Sequence, residues 1–173
     1  MGGAWPGRRP PARIETDRLQ LRRFERDDAE AFGALLERNR DHYGAFIAFY
    51  LEGDPAERVV RYRDDFDAGE GFSYAAFLAG RLIGGGALLP RVGPGALEIG
   101  YHVGRDDLGR GYATEIAGAL VRAAFDVCGA ERIELHIAPE NRASVAVAAR
   151  LGIPLERRAS DVGVYTLRRQ LRE

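Results

Sequence analysis

The chain has 173 residues, 46% of them hydrophobic and 29% charged, with a formal net charge of −1. That length suits one domain burying about two-thirds of the surface its unfolded chain would expose. The near-neutral balance gives no electrostatic reason to expect direct nucleic-acid binding. All the basic residues are Arg, which excludes a lysine nucleophile; the lone Cys128 and the three His at 42, 102 and 136 offer neither an internal disulfide nor a metal-ligand spacing. The expectation is a metal-free, cytoplasmic protein, without a membrane segment and without the apolar run of a signal peptide.

Residues 1–12, with Pro6, Pro10, Pro11 and adjacent Arg8 and Arg9, read as a flexible N-terminal tail ahead of a domain over residues 13–173. Glu15 to Arg22 reads as an opening strand. Asp27-Asp28-Ala29-Glu30 offers a capping box, and Phe32, Leu35 and Leu36 stripe a first helix running to about Arg40. From Asp41 to Gly53, Tyr43, Phe46, Phe49 and Tyr50 follow no clean period, as in a loop or short helix bordering a cleft. Asp54-Pro55 starts a second helix that Gly69 ends. Gly71 to Ala79, Arg81 to Val92 and Leu97 to Val103 then read as an antiparallel meander turned at Gly80 and at Gly93-Pro94-Gly95. A helix from Tyr112 to Cys128, a strand from Arg132 to Ile137, a helix from Arg142 to Leu151 and two closing strands complete the chain. The helix between the Glu98 and Glu134 strands is a crossover that makes those strands parallel, so the sheet is mixed and the fold α/β.

Between Val103 and the helix at Tyr112 lies Leu108-Gly109-Arg110-Gly111-Tyr112-Ala113-Thr114. Two glycines that let the backbone approach an anion, followed by the unpaired N–H groups of a helix start, can hold a phosphate. The bland alternative is a Gly-rich helix entry with no ligand. A Walker loop is excluded because no Lys followed by Ser or Thr stands after the second Gly. A dinucleotide fingerprint is disfavoured because Thr114 occupies its third Gly and Gly104 to Leu108 separate the turn from the strand.

The turn closely resembles the pyrophosphate turn of the GNAT acetyltransferases, Gln/Arg-x-x-Gly-x-Gly/Ala, departing only at Leu108. Some thirty residues on, Asn141-x-x-Ser144 with Leu151-Gly152-Ile153 resembles the RimJ/RimL-type branch of that superfamily. Glu15 to Arg22 and the hairpin from Phe72 to Gly85 extend the likeness to nearly everything after Arg13. The resemblance implies a single-domain, mostly antiparallel sheet with two central parallel strands splayed apart to hold acetyl-CoA, and helices on both faces. Residues 108–114 would hold the pyrophosphate, the backbone of Tyr101, His102 and Val103 the pantetheine arm, and Asn141 the pantetheine or the acceptor amide. The implied activity is transfer of acetyl from acetyl-CoA to a primary amine by direct attack in a ternary complex. A protein N-terminal α-amine of the ribosomal-protein type or a small-molecule amine would be the acceptor, and a homodimer is left open.

Such a transfer needs a neutral amine, donors for the tetrahedral oxyanion and a proton for the departing thiolate. Glu98 is the candidate base, at the place where many superfamily members carry a Glu. Ser144 is the candidate acid, because the common Tyr seven residues after the Asn is here Ala148. Each also has a structural reading: Glu98 on a solvated strand face, Asn141 as a helix cap with Ser144 beside it. His136 is an alternative base, although a lone strand His is more often packed. The competing function is an acyl-CoA-binding regulatory or interaction module without catalysis.

Overall fold

The computed structural model describes residues 3–170. The eight strands are β1 (Arg13–Glu15), β2 (Leu19–Arg23), β3 (Phe72–Leu78), β4 (Arg81–Leu89), β5 (Ala96–Val103), β6 (Arg132–Ile137), β7 (Leu155–Ala159) and β8 (Val162–Arg168). They form one sheet in the order β1-β2-β3-β4-β5-β6-β8-β7. Every pairing is antiparallel except β5 with β6, joined by the predicted crossover. Helices α1 (Ala29–Arg38), α2 (Arg40–Gly44) and α3 (Pro55–Ala68) serve one face; α4 (Tyr112–Arg122) and α5 (Arg142–Arg150) serve the other.

Strand alternation sorts the core between these faces. Leu97, Ile99, Tyr101 and Val103 of β5, with Ile133, Leu135 and Ile137 of β6, join Ile116, Leu120 and Ala148 beneath α4 and α5. Phe24, Phe32, Leu35, Tyr43, Val59 and Leu82 make a smaller cluster under α1 to α3. A glycine admits His102 to this second face: a Cβ on Gly85 would lie 3.1 Å from His102 Nε2 and 2.5 Å from the Tyr74 carbonyl oxygen.

Three expectations change. The segment read as one opening strand is a hairpin, because Thr16 bonds Leu19 through both backbone and hydroxyl and turns the chain at Asp17-Arg18. The helix after Gly111 does not continue regularly to Cys128 but widens into a π turn over Ala123–Val127. Residues 3–12 lie against the body instead of forming a free tail: the Trp5 indole is buried and donates to Cys128 O, and Tyr74 Oη donates to Pro11 O. Burial of one large aromatic outweighs the Pro and Gly content around it. Met1 and Gly2 of that expected tail, and residues 171–173 of the expected domain, lie outside the described residues.

Candidate active site

The central feature is a fork. β5 and β6 pair only through Ala96, Leu97 and Glu98 against Arg132, Ile133 and Glu134. Beyond that step β5 runs on to Val103 beside β4 alone, and β6 to Ile137 beside β8 alone, leaving a wedge open between them. Gly104 N donates to Ile83 O at 2.8 Å, which fixes the hydrogen-bonding parity of the β4–β5 ladder. By alternation Glu98, Gly100 and His102 bond β4, while Tyr101 and Val103 turn their main-chain groups toward the wedge. His102 was expected to offer its backbone there, and this parity directs it to β4 instead. Val103 O accepts from His42 Nε2 of α2 at 3.2 Å, so Tyr101 presents the open pair of groups.

On the α4–α5 side a cavity of about 600 Å³ is lined by Val103, Asp107 and every residue of the predicted turn, Leu108 to Thr114. Gly109 (φ 73°) and Gly111 (φ 82°) take the left-handed conformation that favours glycine, and Gly111 forms the start of α4. The Thr114 hydroxyl there is buried without a partner, an orphan group that an anionic or polar ligand would satisfy. The opposite wall comes from α5: Ala143, Ala146, Val147 and Arg150. Of these only Val147 belongs to the motif read in the sequence; Ala143, Ala146 and Arg150 were not singled out, although spacings of three and four put all of them on one helix face. Leu108 stands 45% exposed.

The turn is braced from outside by residues that drew no attention in the sequence. Glu115, in the first turn of α4, accepts from Thr16 Oγ1 at 2.5 Å, Arg18 N at 2.8 Å and Arg18 Nε at 2.8 Å. Arg18 also donates to Arg110 O and lies over the Tyr112 ring. Burial alone pushes the Glu115 carboxyl up, and these bonds outweigh it, leaving it below its ordinary value. Arg81 grips Asp107 through two bonds of 2.9 and 2.7 Å at the turn's other end.

Asn141 and Ser144 open α5. Asn141 Oδ1 accepts from Ser144 N at 3.2 Å, the predicted cap, and Tyr101 Oη reaches Ser144 O at 3.5 Å from β5. The structure therefore brings Tyr101, Asn141 and Ser144 together across the wedge.

Glu98 lies at the apex of the fork on the opposite face, 9% exposed. Its two oxygens accept from Arg91 Nε and Nη2 at 2.7 and 2.8 Å. Directly opposite, Glu134 accepts from Arg132 Nε at 2.9 Å and pairs with His136 Nε2 at 2.8 Å. His102 faces the same side, its Nδ1 3.0 Å from Tyr43 Oη and its ring 4.7 Å from that of Tyr50. Burial, and then the nearby His42, lower the His102 imidazole to about 4, so it is neutral at physiological pH. Among the described residues no cluster of metal-ligating side chains occurs, and no helix is long and apolar enough to cross a membrane.

A sheet split between parallel strands, with a cavity at a glycine turn on one face and a carboxylate pair at the apex on the other, is the framework of an acetyltransferase fold. Residues 18–153 match the acetyltransferase (GNAT) domain model, and the chain belongs to that family. It is 29% identical to the probable N-acetyltransferase YjcK of Bacillus subtilis over 148 residues, covering 80% of this chain and 81% of the relative. Two solved structures share the fold. RimJ of Mycobacterium smegmatis, in complex with CoA-disulfide, has a TM-score of 0.78 at 21% identity, covering 97% of this chain and 90% of that one. The microcin C7 self-immunity acetyltransferase MccE, in complex with acetyl-CoA and AMP, has a TM-score of 0.79 at 19% identity, covering 91% and 97%.

Proposed function

We propose that the chain transfers acetyl from acetyl-CoA to a primary amine by direct attack within a ternary complex. The fork carries this reading, because it joins two faces with complementary equipment. On the α4–α5 face the N–H groups at the start of α4, with Arg110 and Arg150 on the cavity wall, suit a diphosphate and its neighbouring phosphate. Tyr101 offers backbone groups to the pantetheine arm along the wedge, Asn141 stands beside its path, and Ser144 is placed to return a proton to the thiolate. On the other face Glu98 stands at the apex where an ammonium would arrive, with Arg91 on both its oxygens.

The Asn141-x-x-Ser144 pattern of the RimJ/RimL type ranks a protein N-terminal α-amine first among acceptors and a small-molecule amine second. The test is thiol release from acetyl-CoA against a panel of N-terminal peptides, amino acids and polyamines. Turnover of at least one amine is expected. Gly111→Glu, which puts a side chain and a negative charge into the cradle, should abolish acetyl-CoA binding by calorimetry while the protein stays folded. Equal affinity in variant and parent would remove the basis of the reading.

A further inference from the structure

We propose that His136, held by Glu134, is the group that takes the proton from the acceptor's ammonium; this rests on the acetyl-transfer reading. Glu134 pairs in register with Glu98 at the last joined step of the fork, and neighbours in register project from the same face. His136 lies two residues further along β6, on the arm that has already left β5, and therefore on that same face. Its side chain is 30% exposed, whereas that of Glu134 is 8% exposed. A buried carboxylate thus anchors a ring that remains open to an incoming ligand.

Glu98 is the less suitable acceptor because Arg91 already bonds both its oxygens. Glu134 Oε1 is likewise taken by Arg132, and Oε2 receives the His136 Nε2 proton. That bond fixes the tautomer in which Nδ1 carries a free lone pair, and the carboxylate stabilises the imidazolium once Nδ1 is protonated. The charged groups around the ring are Arg91, Glu98, Arg132 and Glu134, with Arg168 of β8 in register with Arg132 and paired with Glu156, and Arg157 of β7 in register with Val164, the residue opposite His136; Thr166 of β8 stands opposite Glu134.

The proton balance is complete without a further reagent. One N–H bond of the ammonium breaks and its proton passes to His136 Nδ1. The freed amine lone pair forms a C–N bond to the thioester carbonyl carbon, and the C–S bond breaks. Sulfur leaves with a proton supplied through Ser144, which the acylated nitrogen replaces, and the imidazolium returns its proton to solvent. His136 is the catalytic residue in this scheme and Glu134 a positioning residue.

The experiment measures acetyl transfer to an alanine-initiated tetrapeptide, or to whichever panel amine turns over fastest, for the parent, His136→Ala, His136→Gln, Glu134→Gln and Glu98→Gln. Acetyl-CoA affinity is followed by calorimetry in each. Both His136 variants should keep that affinity and lose roughly 10²- to 10⁴-fold in kcat. Added imidazole should restore part of the activity of His136→Ala. Glu134→Gln should lose about tenfold in kcat with KM and acetyl-CoA affinity unchanged, because the ring loses the carboxylate that orients it. Unchanged kcat in the folded His136 variants, or a loss with neither imidazole rescue nor a changed pH profile, overturns the proposal. If Glu98→Gln alone abolishes turnover, the base is Glu98 and the acetyl-transfer reading survives. Absence of transfer by the parent to any amine overturns both.

Discussion

Ser144 occupies the third position of α5, where its main-chain N–H, not its hydroxyl, completes the Asn141 cap. Removing the hydroxyl therefore leaves the cap in place, and the two roles separate cleanly. Ser144→Ala should lower turnover by roughly tenfold to a thousandfold with little change in melting temperature or acetyl-CoA affinity. Asn141→Ala should instead cost about 1 kcal/mol of stability through the lost cap. Thermal melts with single-turnover kinetics tell them apart; a fall in melting temperature for Ser144→Ala with unchanged turnover per folded molecule would assign Ser144 to structure. The cap was legible because Asn before a helix has one dominant local use. The environment of Glu98 was not, since its partner Arg91 lies seven residues away across the turn that precedes β5. Alternation put Glu98, Gly100 and His102 on one face, and only the packing of α1 to α3 and of α4 shows which face that is.

Elements with strong local chemistry were legible and those set by tertiary contact were not. α3 begins at Pro55 with Asp54 Oδ1 accepting from Ala56 N at 2.9 Å, and Gly69 ends it, as Asp-Pro and Gly predict. β6 matches its predicted span because apolar Ile133, Leu135 and Ile137 alternate with polar Arg132, Glu134 and His136, which leaves little choice of register. The capping box expected at Asp27 to Glu30 falls two residues earlier, at Glu25 to Asp28: Asp28 Oδ2 accepts from Glu25 N, around a short 3-10 turn that precedes α1. The phosphate turn itself was legible from its glycines. Its brace was hidden, because Thr16 and Arg18 lie 99 and 97 residues from Glu115. A turn held from behind keeps its N–H groups convergent before any ligand arrives, which reduces the ordering cost of binding. Glu115→Ala should thus weaken acetyl-CoA binding by about three- to tenfold although Glu115 is not a cavity residue. Calorimetry on the folded variant checks this; parent-like affinity would show that α4 alone organises the turn.

At the scale of the whole molecule, the sheet buries an imidazole that has to stay neutral. His102 is packed between Tyr43 and Tyr50 with its pKa lowered to about 4, first by burial and then by His42. In the unfolded chain a histidine titrates near ~6.5. Above that pH the ring is neutral in both states and costs nothing. As pH falls from 6.5 toward 4 the unfolded chain takes up a proton that the native state refuses, so stability declines, by roughly 3 kcal/mol across the window. Below 4 both states are protonated and this contribution levels off. Asp107, held down by Arg81, and Asp28, where Arg22 outweighs burial, lie below the ordinary carboxylate value. Their loss belongs to a separate window, below about pH 4. Urea unfolding at pH 7.5 and pH 5 isolates the histidine effect. The parent should lose about 2 kcal/mol between them, and His102→Asn should lose clearly less, whatever its absolute stability. Equal losses in the two proteins would place the titrating group elsewhere.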